Sequence, residues 1–168
     1  MEQVAAAAVV AERDRLLDEL RRAWDGDPWH GDPLRRVLQG MTAAQASARP
    51  IPQAHSAWEI VLHLAGWTRE VARRLREADV REPPEGDWPA PGSGEGEWAA
   101  AVDALSRAHR ELLEAVAAFP PAGLDQMVGQ DRDRGLGTGV TCSVMLHGIS
   151  QHYAYHAGQI ALLRKSFT

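Results

Sequence analysis

Apolar residues recur at intervals of three and four along four long stretches of this chain, and each stretch predicts an amphipathic helix. The first runs from about Glu2 to Trp24, with Leu16, Leu17 and Leu20 inward and Arg13, Asp14, Arg21 and Arg22 outward. Asp25-Gly26-Asp27-Pro28 breaks it. A short extra helix is predicted after Asp32-Pro33, carrying Leu34, Val37 and Leu38, with a further short turn starting at Thr42. The second long helix has the clearest start: Ser56 as N-cap with Glu59 three residues on makes a capping box. Ile60, Leu64, Trp67, Val71 and Leu75 form its apolar stripe.

The third long helix spans about Glu97 to Phe119, where Trp98, Val102, Leu105, Leu112, Val116 and Phe119 repeat and His109 completes the stripe. Pro120-Pro121 stops it. The fourth starts near Thr141 and runs to about Lys165. Residues 82–96, rich in Pro, Gly and acid, and residues 122–139, with Gly129, Gly135, Gly137 and Gly139, are predicted as loops without regular structure that cap one end. No strand pattern competes and no repeat is evident, so the expected fold is an all-α four-helix bundle in one domain over 1–168. Gly66 and Gly158 interrupt two helices at some cost in propensity, and close helix approach is the expected reason.

Composition sharpens this picture in three ways. Aromatics make up only 6% of a chain that is 45% hydrophobic, so the core is largely Ala, Leu and Val, which favours helices. A net charge of −5 gives no electrostatic case for nucleic acid. Arg dominates the cations, Lys165 being the only lysine, and with abundant Ala, Gly and Pro this points to a GC-rich bacterial genome. The apolar run Val4–Ala11 is too short for a bilayer and lacks a basic flank, and Cys142 stands alone. A soluble, cytoplasmic protein with a reduced thiol and no membrane partner is the expectation.

His152 and His156 carry the candidate chemistry. A spacing of four turns a helix by about 400°, so both imidazoles leave one face, between Met145, Ile149, Ile160 and Leu163. Imidazoles at core positions are either hydrogen-bonded structure or metal ligands, and the spacing admits both. His63 borders the buried stripe of the second long helix and would face the pair if the two helices are neighbours. Three imidazoles from two helices would leave coordination positions open. Tyr153 follows His152 where zinc peptidases place a Glu, so that chemistry is not indicated. His109 has two readings, structural or a fourth ligand, while His147 projects about 140° from His152 and cannot join it. Trp58 and Trp67 are core or a substrate wall, the loop histidines His30 and His55 either rim a pocket or have no role, and Gln159 and Tyr155 are candidate supports of the ligands.

The stretch Gly148 to Lys165, with its His-Ala-Gly-Gln-Ile run at 156–160, closely resembles the C-terminal signature of the DinB-like superfamily, which includes YfiT-like metal proteins. Ala54 to Trp67 resembles that superfamily's second-helix signature, and Pro28-Trp29-His30-Gly31 and Asp87-Trp88-Pro89 match weaker segments. The resemblance covers nearly the whole chain. It implies a histidine triad that falls on His63, His152 and His156, one divalent ion (zinc or nickel), and a homodimer. For some relatives it also implies transferase or isomerase chemistry with a low-molecular-weight thiol.

Two classes of function follow. One is a metal-dependent enzyme, a thiol transferase or else a hydrolase, with an open coordination position facing a pocket. The other is a non-catalytic metal-stabilised bundle that binds a small molecule or a partner, closed by a fourth ligand such as His109.

Overall fold

The computed structural model describes residues 2–77 and 79–167, with side chains described from residue 11 onward. Apart from Ala11, the side chains of the apolar Val4–Ala11 run therefore lie outside the described residues. Among the described residues six α-helices form in the order α1 (Glu2–Asp25), α2 (Leu34–Leu38), α3 (Ala43–Ser47), α4 (Ala57–Glu77), α5 (Gly94–Ala118) and α6 (Cys142–Arg164). The long helices close a ring: α4 packs on α5 and α6, and α1 packs on α6 and α5. The expected four-helix bundle is thus the observed one, with two short helices where one was expected together with a turn.

Local chemistry explains where the helices start. Ser56 and Glu59 make the capping box that opens α4: Ser56 N donates to Glu59 Oε2 at 2.8 Å, and Glu59 N donates to Ser56 Oγ at 3.2 Å. Arg49 closes on the same carboxylate. Thr42 and Gln45 repeat the device for α3. Thr141 caps α6 by accepting from Val144 N. One apolar cluster joins Leu16, Leu20, Leu64, Leu105, Leu112, Leu146 and Ile160, all fully buried. Among the described residues no helix is long and apolar enough to cross a membrane.

A polar layer crosses this core and touches all four long helices. Tyr153 of α6 shares a hydrogen bond with Thr68 of α4 at 3.1 Å and reaches His109 Nδ1 of α5 at 3.4 Å. Trp24 of α1 stacks on the His109 ring at 4.9 Å. Burial holds the His109 pKa down at about 4, so the ring is neutral and packs as an aromatic.

Three expectations need correction. First, α5 begins at Gly94, so the last residues of the expected 82–96 loop are helical. Glu97 explains the early start, because its Oε2 accepts from Ser93 N at 2.7 Å and satisfies a first-turn donor. Second, residues 122–139 are not wholly irregular. A 3₁₀ turn at Pro121–Gly123 leads to β1 (Met127–Val128), which pairs antiparallel with β2 (Val140–Thr141). Two-residue strands are too short to show alternation, so the sequence carried no sign of them. Between them Gly139 takes φ +68°, and a Cβ there would stand 2.6 Å from the Arg132 Cα. Third, neither helix glycine serves helix contact. Gly66 makes room for Pro83 of the following loop, and Gly158 faces open space.

The buried pair Glu70–Arg74 fixes both loops to α4. Arg74 Nε donates to Glu70 Oε1 at 2.8 Å, while its Nη1 and Nη2 reach the carbonyls of Leu136 and Arg81. Arg73 adds two donors to the Glu70 carboxylate. Burial alone would raise the Glu70 pKa, but these donors bring it below its ordinary value. Removing one member leaves a buried guanidinium without its counter-charge. Glu70→Gln is therefore expected to lower unfolding stability by about 3 kcal/mol in a urea titration. An unchanged midpoint would show that the pair does not hold these loops.

Candidate metal centre

Helices α4 and α6 bring His63, His152 and His156 to one point, the three-residue cluster of His, Cys, Asp and Glu found among the described residues. His152 Nε2 lies 2.9 Å from His63 Nε2 and 2.9 Å from His156 Nε2. Nitrogens sharing one ion at the usual bond length of about 2.0–2.1 Å stand roughly 3 Å apart, so the spacing suits a common cation. His63 and His156 are buried and His152 is half-buried.

Hydrogen bonds fix the tautomers. His63 Nδ1 lies 2.7 Å from the Asp87 carbonyl oxygen, which can only accept, so Nδ1 carries the proton. His63 Nε2 is then left as a lone pair. His156 Nδ1 donates to Gln159 Oε1 at 2.6 Å, with the same result. Two lone pairs thus face His152 Nε2, which has at most one proton to offer. A cation satisfies this arrangement and no described side chain supplies one.

Electrostatics point the same way. Burial lowers the His152 pKa to about 3, helped by repulsion from His156 and His63. His156 falls to about 4 through burial, against the opposing Gln159 hydrogen bond. Burial also lowers His63, opposed by Asp87. All three are neutral near pH 7, the form that ligates metal.

The loop after α4 completes the surroundings of His63. Trp88 lies flat between two imidazoles, 3.6 Å from His55 and 4.0 Å from His63 between ring centres. The Asp87 carboxylate accepts from Trp67 Nε1 at 2.7 Å and approaches His63 Nδ1 at 3.1 Å. Ligating histidines commonly carry such a carboxylate or carbonyl on the far nitrogen. Asp87 and Trp88 were visible in the sequence only as a weak signature segment, because an irregular loop has no periodicity to aim a side chain.

The other candidates separate cleanly. Gln159 supports His156 as expected, whereas Tyr155 rings against it at 5.0 Å without a hydrogen bond. Trp58 is 2% exposed against Trp98 and belongs to the core. Trp67 lines a cavity of about 660 Å³ that also exposes His63 and His152. His55 stacks on Trp88 rather than rimming that cavity. His109 sits in the Trp24–Tyr153 layer and is no fourth ligand. His147 points to α1, between Glu12 and Glu19. His30 is exposed.

The family model of the DinB superfamily matches residues 28–160, most of the chain. No curated protein and no solved structure matches it. The matched span contains all three histidines together with Asp87 and Gln159, and the chain belongs to the DinB superfamily.

Protonation of the metal-free site has a definite sign. The folded pKa values of His152 and His156 lie below the ordinary 6.5, so the unfolded chain binds more protons in that interval. Their contribution to stability is present above about pH 6.5 and is lost as pH falls toward about 4. Imidazole NMR of the metal-free protein should show both rings neutral at pH 6. Titration of either ring near 6.5 would refute the burial argument.

Proposed function

We propose that this DinB-superfamily bundle is a divalent-metal protein whose single ion is held by His63, His152 and His156, and that it acts on a small thiol. The observation that carries the reading is the convergence of three Nε2 atoms with two of their lone pairs fixed by Asp87 and Gln159. Imidazole suits both zinc and nickel, and these are the two ions proposed. A divalent ion in this setting supplies Lewis acidity, which makes a neighbouring water or thiol more acidic.

The chain's own groups do the remaining work. Asp87 and Gln159 hold two rings in orientation, and the His55–Trp88–His63 stack shields one side from water. His63 and His152 face the cavity, where a small molecule can approach them. Among the residues lining that cavity there is no Ser, Thr, Cys or Lys. Cys142 is buried elsewhere, and burial raises its thiol pKa, so it is a poor nucleophile. With neither a hydroxyl of Ser or Thr nor a thiol or amine at the cavity, an external thiol is the nucleophile this reading favours. A lone buried cysteine also fits a reducing compartment, and the cytoplasm is the location we propose.

Elemental analysis after native purification should find one zinc or nickel per chain. The His152→Ala/His156→Ala double variant should lose it, and full occupancy in that variant would sink the assignment. The thiol step has its own measurement. The cobalt-substituted protein should develop a sulfur-to-metal charge-transfer band when titrated with low-molecular-weight thiols. A spectrum indifferent to millimolar thiol would leave hydrolysis by water, or simple ligand binding, as the better account.

A further inference from the structure

The cavity beside the histidines is a trough with a chemically different wall at each end. Its volume, about 660 Å³, is in the range that small organic ligands occupy. His63 and His152 form one end, with Asp87 beside them. Val71, Val140, Met145 and Ile149 give it an apolar floor. The other wall is the loop between β1 and β2, which Arg74 ties to α4 through the Leu136 carbonyl at 2.7 Å. Arg74 lies eleven residues beyond His63 on one helix, so the two ends are about 16 Å apart along its axis.

Charge along this trough is uneven. Arg74 is spent on Glu70 and two carbonyls. Arg132 turns Nη1 onto the carbonyls of Asp133 and Thr138, which shapes the loop but neutralises nothing. Arg134 makes no hydrogen bond or ion pair with any described residue, yet lines the trough. The nearby Asp133 accepts from the amides of Gly135 and Leu136 through Oδ1 and forms no ion pair with Arg134. Among the described residues Asp87 is the only carboxylate on the lining, and it sits at the histidine end. A protein of net charge −5 thus presents two guanidinium groups without carboxylate partners at one end of an apolar trough.

From this geometry we infer that the trough selects an organic carboxylate with an apolar body, its carboxylate on Arg134 and its far end at the histidines. A single free guanidinium fork matches the two oxygens of one carboxylate. The floor takes a hydrocarbon or aromatic midsection, and Trp67 lies along its path. The nature of the far end rests on the metal reading, whereas the Arg134 end stands without it.

Calorimetric titration of the protein as purified tests this, with four probes: mercaptooctanoate, mercaptooctanol, octanoate and octyl phosphate. Mercaptooctanoate should bind about tenfold more tightly than mercaptooctanol, the ratio expected of one charge-assisted pair. Arg134→Gln should abolish that ratio and leave the mercaptooctanol affinity and the metal content unchanged. Arg134→Lys should restore only part of it, since the ammonium lacks the fork. Equal affinity for acid and alcohol, a preference that survives Arg134→Gln, no binding of any probe, or tighter binding of octyl phosphate than octanoate would each overturn the inference. Octanoate separates the two proposals. Binding of octanoate that depends on Arg134 in a protein without metal would remove the metal reading and keep this one. A metal-loaded protein that binds thiols with no preference for acids would do the reverse.

Discussion

Two lone pairs held 2.9 Å from a third imidazole nitrogen are an unfavourable arrangement in a helical core, and much of this fold exists to maintain it. With the Nδ1 protons of His63 and His156 held on Asp87 and Gln159, a neutral His152 can donate from Nε2 to only one of the two facing lone pairs, and the other stays unsatisfied. Holding them requires that α4 and α6 keep a fixed register. The Thr68–Tyr153–His109 layer supplies it one turn beyond His63 and beside His152. A slip of one residue on either helix would rotate its histidines by about 100° and break both contacts at once. Tyr153 is fully buried, and burial pushes its phenol pKa well above the ordinary value, so the register is held by a neutral hydroxyl that pH near neutrality does not disturb.

The two loops between long helices are therefore parts of the site. Residues following α4 supply Asp87 and Trp88, which orient and shield His63. Residues between β1 and β2 supply the far wall of the trough. Both are tethered by one buried guanidinium, since Arg74 donates to the carbonyls of Arg81 and Leu136. A charge this deep in a bundle is tolerated because Glu70 neutralises it. The same pair connects the surroundings of the histidines to the arginine-bearing wall through α4.

The sequence disclosed the parts of this design that depend on periodicity or short-range capping. The apolar stripes located the four long helices, Ser56 and Glu59 marked the start of α4, and the spacing of four placed His152 and His156 on one face. His63 stood out because it bordered a stripe, while its grouping with His152 and His156 was conditional on helix adjacency and was carried by the resemblance to the DinB-like superfamily. What escaped was set by contacts distant in sequence. Trp88 between two imidazoles, Asp87 under His63, and the Arg74 tether all pair residues across loops whose backbone follows no repeating pattern. Gly66 and Gly158 misled for a related reason. A helix glycine signals missing volume, but the sequence does not say whether a helix, a loop or solvent occupies the space, and here Pro83 takes one and solvent the other.

Placement of charge in the bundle also constrains the direction in which a ligand can lie. At the histidine end, Asp87 offers a carboxylate to the trough, and a second carboxylate arriving there would meet repulsion unless a cation intervened. At the loop end Arg132 and Arg134, which lack carboxylate partners, reverse the sign, and Val71, Val140, Met145 and Ile149 between the ends offer no charge to meet it. On the inference drawn above, an amphiphilic anion would have one favourable orientation, with its charge on the loop and its other terminus at the imidazoles. That polarity is what a site needs if it is to present one particular atom of a flexible molecule to a metal centre, because it fixes the approach before any bond at the far end forms. The loop that would give the trough its direction owes its shape to Gly139 and to Arg132, residues set apart from the histidines.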